Sequence, residues 1–221
     1  MLKFENTQVF GWESAIIGMR NPMNSWNYSD TNVSAYSMSS MDGNIIIGPK
    51  DHELAMKLVK AGSEHGKWLR MIQVWVNITA PRYWWSEFDT YKVGTTANSQ
   101  STMHKLKDVN FNDKSIVDFP WGVDQEADTF MCNILQGLSL LQSRMNKYKK
   151  DESKQQYVES YHRVLKSLLP EGFYQTRTVN LNYAVLRNMY RQRKNHRLPQ
   201  WSEDFVSWVK SLPYSEFITT E

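Results

Sequence analysis

The sequence predicts an α+β fold rich in helices, in which long helices pack with a small, mainly antiparallel sheet. Three observations favour this class. Residues 123–145 keep apolar side chains at helical spacing for about six turns. Short apolar runs at residues 2–10 and 73–79 alternate with polar residues, as half-buried strands do. The sequence contains no internal repeat of the kind that builds an extended array of repeated units.

Composition sets the outer limits of the prediction. The 221 residues are 41% hydrophobic and 13% aromatic, which predicts one domain over residues 1–221. Lys and Arg exceed Asp and Glu by three, so the whole-molecule charge does not favour a nucleic-acid or membrane partner. Cys132 is the single cysteine, which excludes an internal disulfide and a paired-cysteine zinc site. We expect no metal site.

The N-terminal residues carry Glu5 and Glu13 and lack a long apolar core, so they do not resemble a secretory signal. No stretch reaches the roughly 20 apolar residues that a membrane-spanning helix needs. We therefore expect a cytoplasmic protein without a membrane partner.

The first part of the chain predicts a strand over residues 2–10 and a short helix over 13–20, ended by Asn21 and Pro22. Residues 24–43 are rich in Ser, Asn and Asp and predict a polar loop excursion. A helix begins near Pro49. Its predicted core-facing stripe consists of Leu54, Met56, Leu58 and Val59.

Residues 71–104 combine a large apolar content with many small hydrogen-bonding side chains, which is typical of a buried wall beside a polar ligand site. The alternation before Pro81 favours a half-buried strand, with a helix as the alternative. Residues 82–92 predict a helix, and residues 93–101 predict a loop. Residues 188–201 are the candidate second wall of the site.

The second half predicts helices at residues 123–145 and about 178–192 and a C-terminal helix and tail within 199–221. Between them, a further helix ends at residues 170–172. Its predicted apolar face consists of Val158, Tyr161, Val164, Leu165 and Leu168.

No glycine-rich phosphate loop, dinucleotide fingerprint or paired-histidine metal motif is present. His52 and His162 are each best explained as solvated or hydrogen-bonded helix residues. A basic cluster has two open interpretations, a solvated helix end or a clamp for phosphate or carboxylate. It consists of Arg187, Arg191, Arg193, Lys194, His196 and Arg197.

Two segments resemble the flavin-dependent thymidylate synthases. In residues 168–201, a proline-led turn precedes a helix that carries Asn188 and, beyond it, Arg193, with Gln200 and Trp201 soon after. In residues 71–104, an apolar strand ends in Ala-Pro, an aromatic helix follows, and an Asn-x-x-Ser element comes next. That element consists of Asn98 and Ser101.

The resemblance implies a fold and site like that family's, with FAD as cofactor and a dUMP-like pyrimidine deoxynucleotide as substrate. It implies that Arg193 polarises the uracil ring and is the catalytic residue. The substrate-binding residues would be Asn98, Ser101, Lys92 and Arg193, and the cofactor-binding residues Asn188, His65 and Tyr91. Methylenetetrahydrofolate and NADPH are implied only for a catalytically active protein.

The sequence departs from the family at charged positions. The family's Arg-His-Arg motif falls on Thr90, Tyr91 and Lys92, and a further arginine falls near Met103 or His104. A flavin-contacting histidine falls on Met71 without a gap, or on His65 if six residues are inserted. Lost arginines remove charge-assisted bonds of about 1.5–3 kcal/mol each.

Two hypotheses follow from the resemblance. The first is a divergent enzyme that binds, and methylates, a pyrimidine deoxynucleotide. The second is a non-catalytic homologue of phage or mobile-element origin that acts by binding a nucleotide or a protein. Both imply a homotetramer with sites shared between subunits. A nucleic-acid binder using the basic cluster is a third, less favoured possibility.

Overall fold

The β-structure of the protein is a small four-stranded antiparallel sheet within residues 1–31 and 45–221, the part of the chain that the computed structural model describes. Its strands are β1 (Lys3–Phe10), β2 (Gln73–Pro81), β3 (Thr96–Ser99) and β4 (Tyr174–Asn182). They lie in the order β1-β2-β4-β3, so β1 and β3 are edge strands. Together with the helices below, this sheet confirms the predicted α+β fold.

The helices account for most of the remaining regular structure. Their bounds are α1 Trp12–Arg20, α2 Pro49–Lys60, α3 Arg82–Phe88, α4 Thr102–Lys105, α5 Gln125–Tyr148, α6 Gln155–Leu168, α7 Tyr183–Arg193, α8 Val206–Ser211 and α9 Glu216–Thr219. A π-helical turn, Gln200–Phe205, leads directly into α8. Within these described elements, no helix is both long and apolar enough to span a bilayer.

The pairing of β1 with β2 shows why residues 73–79 form a strand and not the alternative helix. Lys3 lies opposite Thr79 and Phe10 opposite Gln73, with an irregularity between Glu5 and Gln8. Asn6, inside that irregularity, has φ +54°, a left-handed conformation that asparagine tolerates well. Every second residue of β2 is buried, namely Val74, Val76, Ile78 and Ala80.

The chain divides into two compact units. The first comprises Met1–Thr79, Glu87–Asn98 and Arg177–Glu221. Its core includes Ile72, Tyr183, Trp201 and Phe217, each at most 1% exposed. Within this unit α7 packs against α9 and against the 3₁₀ turns of Gly66–Met71. The C-terminal residues are therefore part of a packed core.

The second unit comprises Ala80–Ser86 and Ser99–Thr176. Helices α5 and α6 pack against each other. Its core joins these helices to the loop between α4 and α5, and it consists of Leu106, Phe111, Val117, Leu135, Leu138, Met145, Leu165, Leu169 and Phe173. The prediction of a single domain over residues 1–221 stays a prediction.

Two segments fold differently from the sequence-based expectation. Residues 178–182 are the end of β4 and not the first turn of a helix, because Val179 and Leu181 alternate into the core and Asn182 caps α7. The Asn182 side-chain oxygen accepts a hydrogen bond from the Val185 N–H at 3.1 Å. Residues 96–99 form the edge strand β3 and not a loop; all four are exposed, so no apolar alternation marks them.

Two predicted apolar faces are also only partly correct. In α2 the buried residues are Asp51, Ala55 and Val59, so the stripe is turned away from Leu54 and Met56. In α6 Leu165 is buried, whereas Val164 and Leu168 are 42% and 53% exposed. An amphipathic helix with several apolar residues admits more than one orientation, and tertiary packing selects it.

The predicted polar excursion of residues 24–43 falls largely outside the described residues, which resume at residue 45. Residues 24–31 are described. Trp26–Tyr28 form a 3₁₀ turn, and Ser29 and Thr31 both donate hydrogen bonds to the carboxylate of Asp51. That carboxylate also contacts Arg20, with 2.5 Å between Arg20 Nε and Asp51 Oδ1.

The N-terminus of α5 gives a first testable prediction. Asp124 Oδ1 accepts hydrogen bonds from the N–H groups of Glu126 at 2.8 Å and Ala127 at 3.3 Å. We expect Asp124→Ala to lower the free energy of unfolding by about 1 kcal/mol, because two backbone donors lose their partner. Urea unfolding measures this. Asp124→Asn is the control, since it keeps the capping oxygen and should lose much less.

Candidate functional site

Arg193 lies in the last turn of α7 and is held by two polar partners within the first unit. Its Nη1 lies 2.6 Å from Glu87 Oε2, and its Nε donates a hydrogen bond to the Tyr91 hydroxyl at 2.8 Å. The Arg193 side chain is 16% exposed and that of Glu87 31% exposed. Such a partly buried, charge-assisted pair fixes the guanidinium in one orientation.

Two aromatic rings lie beside the same guanidinium. Its central carbon is 4.9 Å from the Trp201 ring centroid and 5.5 Å from that of Tyr91. Trp201 is fully buried, so the cation rests against a ring that water does not reach. Cation–π attraction therefore adds to the ion pair.

The polar contacts of Arg193 continue through Tyr91 to Asn188. The Tyr91 hydroxyl donates to Gln192 Oε1 at 2.9 Å, and Gln192 Nε2 donates to Asn188 Oδ1 at 3.0 Å. His196 Nε2 lies 3.4 Å from Glu87 Oε2. We call these residues, Glu87, Tyr91, Asn188, Gln192, Arg193 and His196, the Arg193 network.

A basic pocket of about 290 Å³, to whose lining Asn188 contributes, also lies within the first unit. Lys67 and Arg70 reach it from the 3₁₀ turns of Gly66–Met71, and Arg187 and Arg191 reach it from α7. The remaining lining residues are Val59, Gly62, Ser63, Gly66, Leu69, Ala184 and Asn188. Among the described residues, four cations and no carboxylate line this pocket, so it attracts anions.

Arg187 is the buried member of that set, at 8% exposed. Its guanidinium donates hydrogen bonds to the backbone carbonyls of Val59, Phe217, Ile218 and Thr220. Among the described residues no carboxylate lies within ion-pair distance of it. Burial and the neighbouring Arg191 lower the pKa of Arg187 to about 10, so it remains charged at neutral pH.

The structure brings three of the candidate residues together. Arg193 and Tyr91 are in direct contact, and Asn188 joins them through Gln192 while also lining the basic pocket. His65 is exposed and immediately precedes the pocket-lining turns of Gly66–Met71. His65 is therefore next in sequence to the pocket-lining residue Gly66, but it does not itself line the pocket.

The other candidate residues are solvent-exposed. Lys92 follows Tyr91 after the end of α3, and Asn98 lies in β3. In the second unit, Ser101 precedes the first turn of α4, and its carbonyl accepts a hydrogen bond from the Lys105 N–H. Within the part of the chain that the structure describes, neither Lys92 nor Asn98 makes a hydrogen bond to the Arg193 network. The side chain of Met103 lies outside the described part of the structure.

The network contains residues that the sequence did not single out. Gln192 could have been found, because an amide four residues after Asn188 on one helix is a favourable pair. Glu87 could not, because its partner Arg193 lies 106 residues away. Among the described residues, no group of three or more His, Cys, Asp or Glu side chains is arranged to hold a metal ion.

Comparison with solved structures identifies the fold, whereas comparisons of the sequence find no match. No family model matches the sequence, and no curated protein is significantly similar to it. Two solved structures of flavin-dependent thymidylate synthase from Helicobacter pylori, both with FAD and dUMP, are similar to the chain with TM-scores of 0.67. The identities are 17% and 16%; the alignments cover 98% of this chain and 95% and 94% of the two others. The chain therefore has the fold of the flavin-dependent thymidylate synthases.

Proposed function

We propose that the protein binds a dUMP-like pyrimidine deoxynucleotide together with FAD, as a divergent member of the flavin-dependent thymidylate synthase family. The observation that carries this proposal is the basic pocket beside Asn188. Its four cations, Lys67, Arg70, Arg187 and Arg191, share the lining with no acidic side chain of the described residues, and the geometry of a guanidinium matches that of a phosphate group.

The donor set of this pocket fits a nucleotide. Lys67, Arg70 and Arg191 would hold phosphate oxygens, and the Asn188 amide would contact the polar edge of a ring. The volume of about 290 Å³ is at the lower end for small-ligand sites. One chain would thus hold a mononucleotide or one end of FAD. A homotetramer with shared sites, which we include in the proposal, would supply the rest.

Arg193 is the residue proposed for catalysis. A bound flavin would supply hydride, and a guanidinium against a pyrimidine carbonyl would stabilise negative charge on the ring. In this chain the Arg193 guanidinium is already bound to Glu87 and Tyr91. Methylation, with methylenetetrahydrofolate and NADPH, would require that pair to open. The pair therefore favours the second candidate function, nucleotide binding without turnover.

Flavin binding is the first test of the proposal. The protein should carry a yellow flavin spectrum on purification, or take up FAD in a titration followed by quenching of flavin fluorescence. It should also be stabilised against heat by dUMP, since a ligand that binds only the folded state raises stability. A colourless protein that neither binds FAD nor responds to dUMP would contradict the proposal.

A charge substitution assigns any such binding to the basic pocket. We expect Arg191→Gln to weaken FAD or dUMP binding roughly tenfold, because a charge-assisted phosphate contact is lost. Isothermal titration calorimetry measures the change in affinity. Arg197→Gln is the matched control, since Arg197 is an exposed member of the same basic cluster but does not line the pocket. Equal losses in both variants would indicate general charge attraction instead of a site.

A further inference from the structure

A second pocket, larger than the basic pocket, lies entirely within the second unit. Its volume is about 670 Å³, within the range for drug-sized ligands. Helices α4, α5 and α6 and the 3₁₀ turn Leu106–Asp108 form its walls. We call it the α5–α6 pocket. None of its lining residues belongs to the basic pocket or the Arg193 network.

One wall of this pocket is fixed by hydrogen bonds. Gln142 Nε2 donates to the carbonyls of Leu106 at 2.7 Å and Val109 at 2.8 Å. Asn146 Nδ2 donates to the carbonyl of Lys107 at 3.1 Å. Leu106 itself is buried in the core at 1% exposure. The loop is therefore held against α5, and the pocket is preformed.

The lining combines apolar and cationic side chains. Met145, which is buried, and Val158, which is half-buried, supply apolar surface. Four cations also line the pocket, namely Lys105, Lys107, Lys149 and Arg163, against two carboxylates, Asp108 and Glu159. The formal charge of these described side chains, the histidines not counted, is +2.

Among the described residues, one of those four cations has an acidic partner nearby. Lys107 lies 3.7 Å from Asp108, whereas no carboxylate among the described residues lies within 4.0 Å of Lys105, Lys149 or Arg163. The ring of His162 also lines the pocket. Its Nε2 is shielded from water and lacks a hydrogen-bond partner in the described structure.

We propose that the α5–α6 pocket binds a small organic anion with an apolar body and a carboxylate or phosphate head. The body would lie on Met145 and Val158, and the head would contact Lys149 and Arg163. Apolar surface without charge would favour a neutral ligand, and charge without apolar surface would favour inorganic phosphate. The pocket has both features, and it does not depend on nucleotide binding in the first unit.

The test uses 8-anilinonaphthalene-1-sulfonate, an aromatic anion whose fluorescence rises in apolar surroundings, titrated into the full-length protein. We expect Lys149→Gln with Arg163→Gln to weaken its binding roughly five- to tenfold, a modest value because both side chains are exposed. The matched control is Arg144→Gln with Lys150→Gln. It removes the same charge from exposed neighbours that do not line the pocket.

A filling variant and competition complete the design. Val158→Trp should abolish the same binding while the circular dichroism spectrum stays native. Displacement of the dye by dodecanoate or dodecyl phosphate, below their micelle concentrations, supports the proposal, and the stronger competitor identifies the head group. Three results overturn it: equal weakening in both double variants, no effect of Val158→Trp in a folded protein, or equal displacement by dodecanol.

Discussion

Replacing Asp51 by alanine is expected to lower the free energy of unfolding by about 3–5 kcal/mol, the usual cost of removing one partner from a buried ion pair. Asp51 is fully buried and Arg20 is 5% exposed. The Asp51 carboxylate accepts hydrogen bonds from Arg20, the Ser29 hydroxyl, and both the hydroxyl and backbone N–H of Thr31. Without it, Arg20 would be a buried charge with no counterion among the described residues.

The effect should depend on pH in a defined direction. Burial alone would raise the pKa of Asp51, but hydrogen bonds from Thr31, Ser29 and Arg20, with the charge of Arg20, lower it below the ordinary 3.8. A carboxyl group whose pKa is lowered on folding stabilises the folded state above its unfolded pKa and loses this contribution as the pH falls through the folded value. The loss in Asp51→Asn should thus be full at pH 7 and shrink below about pH 4.

Urea unfolding at pH 7 and at pH 3.5 measures both expectations. Glu53→Ala is the control, because Glu53 is an exposed acid on the same helix and should change stability by less than about 0.5 kcal/mol. The double variant Arg20→Met with Asp51→Leu should recover part of the loss, since it removes both charges but leaves the donors of Ser29 and Thr31 without the carboxylate. A loss below about 1 kcal/mol for Asp51→Ala would show that the Arg20–Asp51 pair contributes little to the stability of the fold.

The same residue shows where the sequence misleads about the fold. Periodicity locates α2 correctly but places Leu54, Met56 and Leu58 towards the core. The reason is that Asp51, which is buried in the structure, is an acidic residue and is therefore assigned to the solvent-facing side of the helix. The buried position of Asp51 depends on Arg20, 31 residues earlier, and only the folded chain brings them together. Long helices such as α5 were predictable because many turns repeat one pattern. The boundary between β4 and α7 was not, since five residues carry too little pattern.

The candidate site was predictable to a similar degree. Asn188, Tyr91 and Arg193 stood out through residue type and family resemblance, and the structure connects them through Gln192. The resemblance implies that Arg193 contacts the substrate. It did not reveal Glu87, because an ion pair between distant segments leaves no local pattern. The sequence likewise indicates only part of the basic pocket. Arg187 and Arg191 belong to the predicted basic cluster, whereas Lys67 and Arg70 lie far from it in sequence.

The second large effect is expected at Arg193. We predict that Arg193→Ala lowers the free energy of unfolding by about 2–3 kcal/mol, because the partly buried Glu87 carboxylate loses its charge-assisted hydrogen bond and Trp201 loses its cation. We expect the same variant to change the affinity for FAD or dUMP less than Arg191→Gln does, since Arg193 does not line the basic pocket. Urea unfolding and calorimetric titration provide the two values.

A double-mutant cycle with Glu87→Gln separates the pair from the surrounding packing. A coupling energy of about 1 kcal/mol or more between the two positions would mean that Arg193 acts mainly through Glu87, as a structural anchor for α7. If the cycle shows no coupling and Arg193→Ala instead loses nucleotide binding at unchanged stability, the guanidinium belongs to the ligand and the Glu87 pair opens on binding. Because Glu87 and the pyrimidine carbonyl would compete for one guanidinium, Glu87→Gln should then strengthen dUMP binding. The change in dUMP affinity caused by Glu87→Gln therefore distinguishes two cases. Tighter binding indicates an enzyme whose catalytic arginine is paired with Glu87 until the substrate binds. Unchanged or weaker binding indicates a binding protein in which Arg193 stabilises the fold.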